Sequence, residues 1–163
     1  MIMKNSLCLL ALFAVSALLG ASLYDTVVFG PNLQAGGAQG LEHGRQFMSA
    51  ATPANLFRVL SPATQGILLI AAIASWKGPA PRWLLFAAFA QIVACDVITF
   101  TYAYPRLHVM FVSPLNTSAG ELARAANEWV ACNYVRVALI VLAWAWTVTA
   151  ALRTYGATHR SGA

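Results

Sequence analysis

The stretch Glu128-Trp-Val-Ala-Cys-Asn-Tyr-Val-Arg136-Val-Ala-Leu-Ile-Val-Leu-Ala-Trp-Ala-Trp146-Thr-Val-Thr-Ala-Ala-Leu152 decides the fold. Its only charges are Glu128 at the start and Arg136 inside an otherwise apolar run. A helix needs about 20 predominantly apolar residues to cross a bilayer's hydrocarbon core. Residues 6–29, 54–76 and 82–104 meet the same criterion. The expected fold is all-α: one four-span transmembrane domain over residues 1–163, an up-down-up-down helix bundle. Lys77-Gly-Pro-Ala-Pro81 is a tight breaker that makes spans two and three an antiparallel hairpin. Residues 30–53 and 105–127 read as two longer wet connections, with residues 119–127 suited to a short surface helix. Tyr104, pushed out of helical geometry by Pro105, is expected to end the third span. Residues 153–163 read as a short disordered tail.

Composition agrees with membrane insertion. Of the 163 residues, 60% are apolar and 9% charged, against roughly 25% charged in a soluble domain. The net charge of +5 comes from Lys and Arg scattered singly, which leaves no basic stripe for a nucleic acid. Cys8, Cys95 and Cys132 are odd in number, lie in apolar segments and form no C-x-x-C, so no disulfide scaffold or relay is expected. His43 and His108 fall in loops and His159 in the tail, away from axial haem positions. Glu42, His43 and His108 lack metal-ligand spacing. No cofactor or metal is expected.

Lys4 and the small residues Gly20, Ala21 and Ser22 resemble a secretory signal, but the apolar run continues to Phe29 and favours a retained helix. Lys4, Lys77, Arg82, Arg153 and Arg160 would mark one side of the membrane; Arg45, Arg106 and Arg124 the other. The positive-inside rule then puts both termini in the cytoplasm, in a cell inner or plasma membrane.

Four charges fall within the spans. Asp25 lies about 31 Å from Lys4 along the first helix, and Asp96 about 21 Å from Arg82 along the third. Arg58 sits one turn into the second, and Arg136 about 12 Å into the fourth. All four belong to the outer half of the bundle. Arg58, Asp96 and Arg136 facing lipid would cost on the order of 7–10 kcal/mol, so an outward-facing pocket shared by the four is expected. Trp129, Asn133, Arg136 and Ile140 share a face of the fourth helix; Arg58, Pro62 and Gln65 one of the second; Asp96, Thr99 and Ala103 one of the third. The competing expectation is that the same polar groups are interhelical glue. Tyr24, Tyr102, Tyr104 and Trp129 at the outer level, and Trp76 and Trp83 at the inner, suit interfacial belts.

The W-x-x-x-N-x-x-R pattern formed by Trp129, Asn133 and Arg136 resembles that of the anthrone oxygenase-like family of small membrane proteins. Supporting pieces run in order: Gly20, Tyr24 and Gly30-Pro31-Asn32-Leu33; Asn55-Leu-Phe57 and Pro62; Thr99-Phe-Thr-Tyr102 and Pro105. The chain departs at Tyr104-Pro105-Arg106-Leu107, where relatives often carry Asn beside the proline. The resemblance implies a four-helix membrane protein and a cofactor-independent oxidation of a flat aromatic substrate by molecular oxygen. It implies Asp25 or Asp96 as base, Arg136 and Asn133 as stabilisers of the enolate oxygen, and Trp129 and Tyr102 as stacking residues; Arg58, placed in the pocket by its depth, is a further expected substrate contact. The bilayer and a small hydrophobic aromatic substrate are the expected partners. The alternative is a non-catalytic binder, transporter accessory or partner subunit whose Asp/Arg cluster is structural.

Overall fold

The computed structural model describes residues 2–76, 82–112 and 117–160, and within them the chain is all-helical. Helix α1 (Ile2–Tyr24) runs through a π-helical turn (Asp25–Phe29) into α2 (Gly30–Ala35), followed by α3 (Gly37–Phe47) and α4 (Pro53–Ala74). Helix α5 (Arg82–Ile98) runs through a second π-helical turn (Thr99–Ala103) into α6 (Tyr104–Phe111), and α7 (Ala119–Arg160) completes the chain. Four apolar stretches are long enough to cross a membrane: Asn5–Ala35, Pro53–Ala74, Arg82–Phe111 and Ala119–Gly156.

The four long helices form a ring in which α1 and α5 each pack on both α4 and α7. Their shared core is built from small and branched residues, among them Ala11, Val15, Ala71, Ala88, Ile92 and Ala143. Where alanines meet, the backbones can approach closely, and Leu18, Leu68 and Leu85 fill the space between these contacts. Cys8 meets Thr154 and Ser16 meets Trp144, so α1 and α7 are antiparallel. Phe13, Val59 and Trp83 are mostly exposed, while Ser61, Thr64, Asn133 and Thr147 are buried. Thr64 and Thr147 satisfy their hydroxyls on carbonyls of their own helices.

Several sequence expectations are corrected here. The chain does not leave the helix at Tyr104. Pro105 opens α6, and the turn before it widens so that the Tyr104 N–H reaches the Thr99 carbonyl. The first helix repeats the device: Pro31 opens α2 and the Gly30 N–H reaches the Asp25 carbonyl. A proline inside a helix lacks a donor and presses on the carbonyl four residues back; a π turn just upstream accommodates it and lets the helix continue. Residues 119–127 are not a separate helix but the first turns of α7. That helix has 42 residues and is about 63 Å long. The tail is helical as far as Arg160. The breaker at residues 77–81 and residues 161–163 lie outside the described residues.

The connection expected to be wet between residues 30 and 53 is largely α2 and α3, which with α6 and the start of α7 enclose a second apolar core of Leu33, Leu41, Met110, Leu122 and Trp129. Polar contacts stitch this cap: Arg45 Nε donates to the Met110 carbonyl at 2.8 Å, and Gln34 Nε2 to Asn127 Oδ1 at 2.8 Å. Three glycines are needed here. At Gly36 a Cβ would overlap the Gly40 backbone. A Cβ on Gly30 would meet Val130 Cγ2 at 3.0 Å, where α2 crosses α7, and Gly37 turns the chain into α3 with φ +52°.

Candidate functional site

Between the cap and the ring lies a cavity of about 360 Å³, within the range of small-molecule sites. Asp25 and Phe29 line it from the first π turn, Phe57 and Arg58 from α4, and Thr99 and Ala103 from the second π turn. Leu107, His108 and Phe111 of α6 and Trp129 and Arg136 of α7 complete it. Both π turns thus face the same space. On the α4 side, Thr52 caps the helix reciprocally with Asn55, its N–H and hydroxyl both donating to Asn55 Oδ1, which fixes the wall where Pro53 and Ala54 stand.

The face of α7 expected from spacing is real. Trp129, Asn133, Arg136 and Ile140 are all buried. Arg136 Nη1 donates to Asn133 Oδ1 at 2.7 Å, and the guanidinium lies 5.5 Å from the centre of the Phe57 ring. Trp129 is no belt residue: it is 2% exposed and meets Phe29 edge-on with ring centres 5.8 Å apart. Trp129 Nε1, Asn133 Nδ2 and Arg136 Nε are buried with no hydrogen-bond partner among the described residues. Leaving a buried donor unsatisfied costs about 1–3 kcal/mol. Asp25, 5% exposed, lies near enough to Arg136 for Coulombic attraction, yet makes no ion pair with it among the described residues.

Asp96 stands apart from this group. It does not line the cavity; it lies between α4 and α5, where Ser61 Oγ reaches both its carboxylate oxygens at 2.9 and 2.8 Å and Gln65 Nε2 donates at 2.6 Å. The pocket expected to hold Asp25, Arg58, Asp96 and Arg136 therefore holds three of them. Tyr102 is also elsewhere. It is exposed, with the Arg106 guanidinium 3.6 Å from its ring centre, and Arg106 in turn shares Glu128 with Arg124. Arg58 is exposed on α4 and lines the cavity, so it reaches the cavity from its rim.

Sequence reasoning missed Phe29, Phe57, His108 and Phe111 as cavity residues. Ending the third span at Tyr104 hid the α6 pair. Among the described residues no three His, Cys, Asp or Glu side chains converge as a metal site would require. No family model, curated protein or solved structure matches the chain.

Proposed function

We propose that the chain is a multi-pass membrane protein, an up-down-up-down bundle with both termini cytoplasmic, whose outer cavity binds a flat lipophilic molecule and oxidises it without a cofactor. The membrane part draws support from the four long apolar helices and from an apolar exterior around buried polar groups. The carrying observation for the site is a pair of unpartnered donors, Trp129 Nε1 and Arg136 Nε, on two residues that line a cavity together with Asp25. Such donors suit a ligand oxygen that gains negative charge during reaction.

An anthrone-like substrate, as the resemblance suggests, fits these groups. Asp25 takes a proton from the ring methylene, and the charge moves to the carbonyl oxygen, where Arg136 and Trp129 donate. The carbanion adds molecular oxygen at carbon; the resulting hydroperoxide loses water. The sum is a CH₂ group and O₂ giving a ketone and H₂O, so no further reductant is needed. Phe57 and Phe29 flank the rings. Asn133, bonded to Arg136, is a positioning residue.

A non-catalytic reading finds support in one observation, the fully partnered Asp96, which ties α4 to α5 as structural glue would. Oxygen consumption by purified protein in nanodiscs with a simple anthrone separates the two. Uptake above that of empty nanodiscs, abolished in Asp25→Asn, is expected; no uptake by the unaltered protein would defeat the oxygenase reading for this substrate class.

A further inference from the structure

Two walls of the cavity do not pack on each other. Helix α4 packs on α1 and α5, whereas α6 packs on α7 and α3; α4 and α6 share no comparable interface. Yet both line the cavity, α4 through Pro53, Phe57 and Arg58, and α6 through Leu107, His108 and Phe111. The seam between them is the least tightly packed part of the wall and the place where a ligand could enter from the side. Arg58 stands at it, exposed between Leu56 and Val59, which are 54% and 71% exposed. No hydrogen bond or ion pair engages Arg58 among the described residues. An arginine on an apolar surface is costly unless its head finds an anion or water.

The charge balance points the same way. Arg58 and Arg136 contribute two guanidiniums to the lining and Asp25 one carboxylate, and none of the three is ion-paired to another. A ligand with one negative charge would neutralise the set. We propose that Arg58 is a specificity-determining residue, selecting amphiphiles that carry an anionic oxygen group beside a flat apolar body and enter from the side between α4 and α6. This rests on the cavity being the ligand site and adds the ligand's charge and its route. Arg58 grips the anionic group at the seam while the rings pass inward to Phe57, Phe29 and Trp129.

The full-length protein in phosphatidylcholine nanodiscs is titrated with 1-hydroxy-2-naphthoate and with its neutral methyl ester, following quenching of tryptophan fluorescence. A charge-assisted contact predicts about tenfold tighter binding of the acid than of the ester. Arg58→Gln should bring that ratio close to one while leaving ester affinity unchanged, Arg58→Lys should restore most of it, and circular dichroism should not change. Loss of the quenching signal in Trp129→Phe places the probe in the cavity. If Arg58→Gln keeps the ratio, Arg58 merely reaches for the interface and the proposal fails while the cavity reading stands. If adding phosphatidylglycerol erases the preference, Arg58 serves lipid headgroups and the proposal also fails. If neither probe binds the unaltered protein, the cavity reading fails with it.

Discussion

Two carboxylates occupy the interior of this bundle, and their surroundings are opposite. Asp96 accepts from Ser61 and Gln65 on the neighbouring helix. Asp25 is 5% exposed, lies on a π turn at a cavity, and shares that cavity with Trp129 and Arg136 of α7, whose Nε1 and Nε have no partners among the described residues. A completed network lowers the energy of the fold itself. An incomplete one holds its hydrogen-bonding capacity for something that is not part of the chain. On the proposed reading Asp96 serves cohesion and Asp25 chemistry, and that contrast can be broken by exchanging the effects of their mutations.

The largest effect should follow Asp25→Asn. Removing a general base lowers turnover by about 10²–10⁴-fold, and oxygen uptake with a simple anthrone measures it, with helicity and melting temperature unchanged. Asp96→Ala should do the reverse. It strands Ser61 and Gln65, at a cost of about 1–3 kcal/mol, read as a lower midpoint in thermal unfolding, while the uptake rate per folded molecule stays within a few-fold. Equal losses of activity in the two variants would erase the distinction.

Arg136→Met sharpens it through sign. The change relieves the desolvation penalty of a buried guanidinium, several kcal/mol, against about 1–3 kcal/mol for leaving Asn133 Oδ1 without its donor, so stability should hold or rise. Oxygen uptake should nevertheless fall, because the oxyanion loses a donor worth about 10²–10³ in rate. Stability that rises as activity collapses marks a site held at the expense of the fold. A fall in both would make Arg136 a structural member like Asp96.

The contrast was only half legible in the sequence. The four apolar stretches and the α7 face of Trp129, Asn133 and Arg136 follow from length and spacing, because an α-helix imposes its period wherever it is regular. Asp96 was expected beside Arg136 because depth along a helix is easy to count, whereas its direction around the axis depends on packing. In α4, Gln65 shares one face with Arg58 and Pro62 and an adjacent face with Ser61; packing against α5 selected Ser61 and Gln65 for Asp96. The π turns were hidden for another reason. Pro31 and Pro105 follow Asp25 and Thr99 at matching distances, a signal that was present but read as helix termination. One widened turn carried the third helix past Tyr104 and brought His108 and Phe111 to the cavity.

A smaller test concerns the indole. Trp129→Phe keeps a ring against Phe29 but removes the Nε1 donor, so affinity for a carbonyl-bearing probe should fall by up to about tenfold, the worth of one hydrogen bond of roughly 0.5–1.5 kcal/mol. Because that donor has no partner among the described residues, the melting temperature should not fall for want of the bond. Titration of probe against both proteins, alongside thermal unfolding, reads the two quantities separately.

The smallest effect should come from Thr99, which opens the second π turn as Asp25 opens the first and lines the same cavity. Position alone would make it a second reacting group. Its hydroxyl, however, already donates to the Cys95 carbonyl at 2.8 Å, a local bond of the kind that makes Thr acceptable inside a helix. Thr99→Val keeps the shape and removes a satisfied group, so oxygen uptake should change by no more than about three-fold and stability by less than about 1 kcal/mol. A loss approaching that of Asp25→Asn would mean that the Thr99 hydroxyl leaves Cys95 when substrate arrives. The rule separating Asp25 from Asp96, that a partnered group is structural and an unpartnered one functional, would then hold only for the empty cavity.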